Sequence, residues 1–123
     1  MNQANKKKLL FTLRHAPYGD SLAKEALDAI LATSAYEQDL SVLFINDGVF
    51  QLVKSQQADI IGEKNIIKVL SAFPLYDIDA LFACETSLKE RGITQEQLPE
   101  NIEIINKKAV QTLLHQQDHL LSF

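Results

Sequence analysis

The sequence is poor in the features that would mark most specialised classes of protein. It has a single cysteine, Cys84, so no disulfide framework can staple it, and an unpaired thiol fits a reducing compartment. No apolar run approaches the ~18 residues that a membrane span requires. The opening residues, Met1 to Asn5, lack the apolar core of a signal peptide. Together these absences predict a cytoplasmic protein with no membrane contact. Positive charge is also scarce, with 12 Lys and Arg against 16 Asp and Glu, a net charge of −4 and a pI near 5.3. No global basic field attracts nucleic acid, and the run Lys6-Lys7-Lys8 is too short to be a binding patch; it reads as a solvated lead-in to a strand.

What remains is the composition of an ordinary globular protein, 46% hydrophobic and 23% charged, at a length that one domain over residues 1–123 accommodates. Apolar strand-like runs alternate with helical patterns. Leu9 to Leu13, Ser41 to Ile45, Ala80 to Ala83, Ile102 to Ile105 and His119 to Phe123 are short, apolar and bounded by polar residues. Asp20 or Ser21 can cap a helix reaching about Ala35, with Ala23, Ala26, Leu27, Ile30 and Leu31 on one face and Lys24, Glu25 and Asp28 on the other. A second helix is predicted over Glu63 to Phe73 and stopped by Pro74. A third runs from Glu85 to Arg91 and stops at Gly92. Thr94 and Gln97 have capping-box spacing, and Asn106 caps a helix bearing Val110, Leu113 and Leu114.

No repeat, linker or low-complexity segment interrupts this alternation. It predicts an α/β fold, a three-layer α/β/α sandwich around a mostly parallel five-stranded sheet. In such sheets chemistry collects outside the carboxyl ends of the strands, where Arg14 to Gly19, Asp47-Gly48 and Cys84 all fall. Cys84 ends one strand and begins a helix, whose unpaired N–H groups favour a thiolate, the form that does sulfur chemistry. Glu85 opposes that effect, because a neighbouring carboxylate raises the energy of the thiolate. A buried cysteine acting as a small apolar residue is the alternative.

Other constellations are weaker. The loop Arg14 to Ser21 lies where phosphate-binding loops occur but lacks their glycine spacing, so a structural turn that meets a partner is favoured over a nucleotide site. His15 and Cys84 could form a base and nucleophile pair, though no third residue orients the histidine. His115 and His119 have i, i+4 spacing, but the pattern passes from helix to strand between them and no further ligand completes a shell. No cofactor or metal is expected. The apolar loop residues Val49, Phe50, Leu52 and Val53, with Leu75 and Tyr76, are read as an exposed set that marks an assembly face.

Several separated blocks carry a family resemblance across essentially the whole chain. They are Ala16-Pro17-Tyr18-Gly19, Glu25 through Ala35, Phe44 through Leu52, Leu75 through Ile78, Cys84 with Ser87 through Gly92, and the closing Phe123. In these blocks the chain resembles the DsrE/DsrF-like family, and within it the subunits of the TusBCD sulfur-relay complex. The resemblance implies a cytoplasmic relay that passes persulfide sulfur toward 2-thiouridine at the tRNA wobble position. It implies a heterohexamer with two copies of each of three subunits, in which TusB-like and TusD-like subunits are this chain's partners and sulfur-carrier proteins are met through the complex. Related subunits carry persulfide on a cysteine at the position of Cys84. The family ascribes that role to the TusD-like subunit, which makes this chain an assembly subunit that is not itself catalytic. The alternative is an autonomous persulfide-transfer protein that uses Cys84.

Overall fold

The computed structural model describes residues 7–16, 22–36, 39–53 and 70–123. Five parallel strands form one sheet: β1 (Lys8–Leu13), β2 (Asp39–Phe44), β3 (Ala80–Cys84), β4 (Glu103–Ile105) and β5 (His119–Ser122). Their order is β4-β3-β2-β1-β5. The helices are α1 (Leu22–Ser34), α2 (Glu85–Glu90) and α3 (Lys107–His115). Shorter 3-10 segments cover Asn46–Leu52, Phe73–Tyr76 and Gln95–Gln97.

The strand order explains which face each helix covers. From β1 to β4 the chain steps always in one direction across the sheet, and right-handed crossovers keep the intervening helices on one face. The return from β4 to β5 runs the other way, so α3 must cross the opposite face. The apolar clusters obey this rule. Ala26, Leu27 and Ile30 of α1 and Leu88 of α2 pack with Phe11, Leu13, Val42, Phe44, Leu81 and Ala83. Val110 of α3 packs with Leu10, Leu43, Cys84 and Ile105. Strand neighbours Leu10 and Phe11 thus serve different layers, as the pleat requires.

The local signals act as their chemistry dictates. Lys24, Glu25 and Asp28 are exposed and Ala26, Leu27 and Ile30 are buried, so the amphipathic reading of α1 holds. The capping candidates Asp20 and Ser21, and most of the helix expected over Glu63 to Phe73, lie outside the described residues; residues 70–72 are helical. Asn106 Oδ1 accepts from the Ala109 amide at 2.8 Å and starts α3. Thr94 and Gln97 close the capping box. Gly92 supplies the left-handed turn after α2, with φ of 67°.

One expectation is corrected. Val49 and Leu52 are fully buried and Phe50 and Val53 are partly buried, so this segment belongs to the core and not to an exposed loop. The 3-10 helix explains it: residues three apart eclipse, and Val49 and Leu52 point together into the layer that holds Phe44 and Phe73. Leu75 and Tyr76, the other half of that set, are exposed.

β5 is the least covered strand, with all four residues exposed. It is held by its ladder to β1, by a 2.8 Å bond between the Thr12 and Ser122 hydroxyls, and by stacking of Phe123 on Phe11 at 5.9 Å between ring centroids.

Candidate functional site

The carboxyl edge of this sheet has one topological switch point. The connection after β3 enters α2 on one face, and the connection after β4 enters α3 on the other. Adjacent strands whose loops diverge in this way open a crevice between them. Cys84 ends β3 at this switch point, directly beside Ile105 of β4.

The backbone of Cys84 is the N-cap of α2, with φ of −75° and ψ of 119°, but its side chain makes no capping hydrogen bond. It is only 6% exposed and lies among Leu10, Leu43, Ile105 and Val110, in the layer under α3. Parity decides this: Cys84 shares its face with Phe82, two residues back, and with its register neighbour Ile105. The Glu85 carboxylate turns along the surface of α2 toward Lys89, with 3.9 Å between the charged atoms.

A latch of polar groups binds the end of β2 to α2. Asn46 takes a left-handed conformation with φ of 54°, and its amide donates to Ser87 Oγ at 2.9 Å. Ser87 is buried. Arg91 donates through Nε to Asp47 Oδ1 at 3.0 Å and through a terminal nitrogen to the Ser87 carbonyl at 3.3 Å. A further tie joins this turn to the loop after β1, where buried Gln51 donates through Nε2 to the His15 carbonyl at 2.8 Å. Asp47 and Gly48 are legible in the sequence as a strand-ending turn. Ser87, Arg91 and Gln51 are not, because serine and arginine on a short helix and glutamine in an apolar run read as solvent-facing. Ser87→Ala leaves the Asn46 amide without its hydroxyl acceptor. It should lower stability by about 1 kcal/mol, measured by urea unfolding with an unchanged slope.

The histidine constellations do not assemble. The His15 side chain is exposed after β1, which is separated from β3 by β2, an offset of roughly 10 Å from strand spacing alone. His115 ends α3 and His119 opens β5, so helical spacing is not kept between them. Among the described residues no three His, Cys, Asp or Glu side chains gather as a metal shell. Beside Cys84's layer a shallow apolar groove of about 320 Å³ is lined by Phe82, Ile105, Ala109, Thr112, Leu113 and Gln116. None of these titrates near neutral pH, so the groove offers contact surface and no acid or base.

Parallel α/β topology, a cysteine at the switch point and a polar latch beside it define a class of small doubly covered sheet proteins organised around their carboxyl edge. The family model for the DsrE/DsrF-like family matches residues 7–123, and the chain belongs to that family. Among curated proteins it is 42% identical over 115 residues to a protein of Vibrio vulnificus strain YJ016 named "Protein TusC homolog", covering 94% of this chain and 98% of the other. Similarity to proteins of the same name is 40% in Vibrio parahaemolyticus and 37% in Aliivibrio fischeri, again over 94% of this chain and 98% of theirs. Among solved structures, the YchN protein of E. coli superposes with a TM-score of 0.75 at 22% identity, covering 95% of this chain and 99% of that one. That likeness shows the shared fold.

Proposed function

We propose that this chain has a TusC-type role in sulfur relay. It is read as a non-catalytic subunit that joins TusB-like and TusD-like subunits in a cytoplasmic heterohexamer passing persulfide sulfur toward 2-thiouridine at the tRNA wobble position. The similarity to proteins named TusC homolog supports the sulfur-relay assignment. The inward packing of Cys84 is the observation that carries the structural role. In persulfide transfer an incoming thiolate attacks the terminal sulfur of the donor persulfide; the S–S bond breaks and the donor cysteine leaves as thiolate. A receiving sulfur must meet another protein's persulfide end-on. Cys84, 6% exposed and beneath α3, does not present itself to one. The excess of acids over bases supports contact with protein partners and no direct contact with tRNA.

The second reading, Cys84 as an autonomous persulfide carrier, draws on the position of the residue at the switch point. Cys84→Ser separates the two. Serine keeps the volume and removes the nucleophilic sulfur, while placing a hydroxyl in an apolar layer costs about 1–2 kcal/mol. Wobble 2-thiouridine in cells carrying only the serine variant, read by mass spectrometry of tRNA nucleosides, should stay near the wild-type level. Its loss with the protein still folded and assembled would make Cys84 a relay station.

A further inference from the structure

The edge of the sheet opposite Cys84 carries a second feature. Leu75 is 84% exposed and Tyr76 is 53% exposed, yet they stand on a hydrogen-bonded turn between two buried residues. Phe73 and Ile78, on either side of the pair, are fully buried anchors. The Asp77 amide donates to the Pro74 carbonyl and the Ile78 amide to the Phe73 carbonyl, each at 3.1 Å. Asp77 holds a left-handed conformation, φ 62° and ψ 28°, which aspartate tolerates better than most residues. The main chain beneath two large exposed apolar side chains is therefore held by hydrogen bonds and buried anchors, which lowers the backbone ordering cost of binding there. Tyr36, 72% exposed, lies at the same edge where the chain turns from α1 toward β2.

Charge identifies the occupant. Asp77 and Asp79 follow the pair and are exposed. Asp39 starts the neighbouring strand, since Ser41 and Ala80 are register partners. Among the described residues none of the three carboxylates forms an ion pair. Lys8 of β1 is the register partner of Asp39, whereas Asp77 and Asp79 lead into β3, two strands from β1, and are the carboxylates set apart from the described cations of this edge, Lys7 and Lys8. A two-fold contact between copies of this chain through Leu75 and Tyr76 would bring these carboxylates against their own duplicates, which is repulsive. A different chain with lysine or arginine around an apolar hollow fits instead. We propose that the Phe73–Tyr76 turn is the docking surface for such a heterologous subunit, an inference that rests on the assembly role proposed above. Tyrosine at the centre of a charged rim is also the chemistry from which interface hot spots are built.

The test uses the full chain co-expressed with its own TusB-type and TusD-type subunits, with assembly followed by light scattering over a dilution series. Leu75→Asp and Tyr76→Ala should each raise the concentration of half-dissociation by at least about tenfold, with thermal unfolding of the isolated variants unchanged. Asp77→Asn with Asp79→Asn should weaken assembly at low salt and flatten its dependence on salt, a readout that a purely structural role would not move. If the wild-type complex forms and the Leu75 and Tyr76 variants assemble as it does, the docking surface is wrong and the assembly role stands. If the wild-type chain forms no complex with those subunits, both fall. Should Leu75→Asp fail to fold, Tyr76→Ala and the salt dependence of the double asparagine variant decide the matter.

Discussion

Replacing Gly48 by alanine is expected to leave little folded protein, because the new methyl group would occupy the position of β1's backbone. A Cβ at residue 48 would lie 1.7 Å from the Leu13 carbonyl oxygen and 2.5 Å from its carbon. Neither atom can retreat cheaply. The Leu13 carbonyl accepts from the Ile45 amide at 3.1 Å, and the next residue, Arg14, donates its amide to the Phe123 carbonyl at 2.7 Å. Moving this stretch would break ties to the end of β2 and to the last residue together. The glycine is needed for space and not for an unusual φ, so any side chain should fail. An expected loss of about 4 kcal/mol or more removes a large share of the roughly 5–15 kcal/mol that holds a domain of this size. Soluble yield and urea unfolding measure it, and an unchanged unfolding midpoint would contradict the packing described for the Asn46–Leu52 helix.

Cys84 should react with a thiol reagent at least about 100-fold more slowly in the folded chain than in the urea-unfolded one. Its sulfur lies under α3, so a reagent must wait for that helix to lift, and a factor of 100 corresponds to an opening cost of about 2.8 kcal/mol. The route of opening can be separated by mutation. Val110→Ala weakens the packing of α3 on the sheet by about 1–2 kcal/mol and should speed labelling roughly tenfold. Arg91→Ala loosens the latch on α2 and should change it much less. Labelling of the native chain at the unfolded rate would mean that the thiol swings out to the carboxyl edge, and would favour the carrier reading.

The outline of the fold was readable because most elements declare themselves locally. The charged stripe of α1, Asn106 before α3 and Gly92 after α2 each satisfy a backbone or burial requirement within a few residues. The placement of Cys84 at a strand–helix junction follows from the same signals. Its direction does not. β3 reads Ala-Leu-Phe-Ala-Cys, apolar on both faces, as a strand covered on both sides must be, and such a run carries no parity. Only the strand order, which sends α3 across the second face, decides what the sulfur touches. The Asn46–Leu52 segment was hidden for a different reason. A seven-residue 3-10 helix has too few turns to write a period, so its apolar residues resemble an exposed loop. The latch of Ser87, Arg91 and Asp47 joins positions some forty residues apart, and no local pattern announces it.

The position of β5 also bears on how the molecule comes to be folded. Lys8 and Asp118 meet across 110 residues, so the inner strand β1 lacks one of its two neighbours until residues 119–122 have been synthesised. During that interval Leu10 and Phe11 lie along an open edge able to pair with any extended segment nearby. At the pace of a ribosome, roughly 5–20 residues per second, the vulnerable period lasts several seconds. Nascent chains stalled before residue 119 should therefore be held by chaperones or aggregate, while chains carrying β5 beyond the exit tunnel should close the sheet and be released.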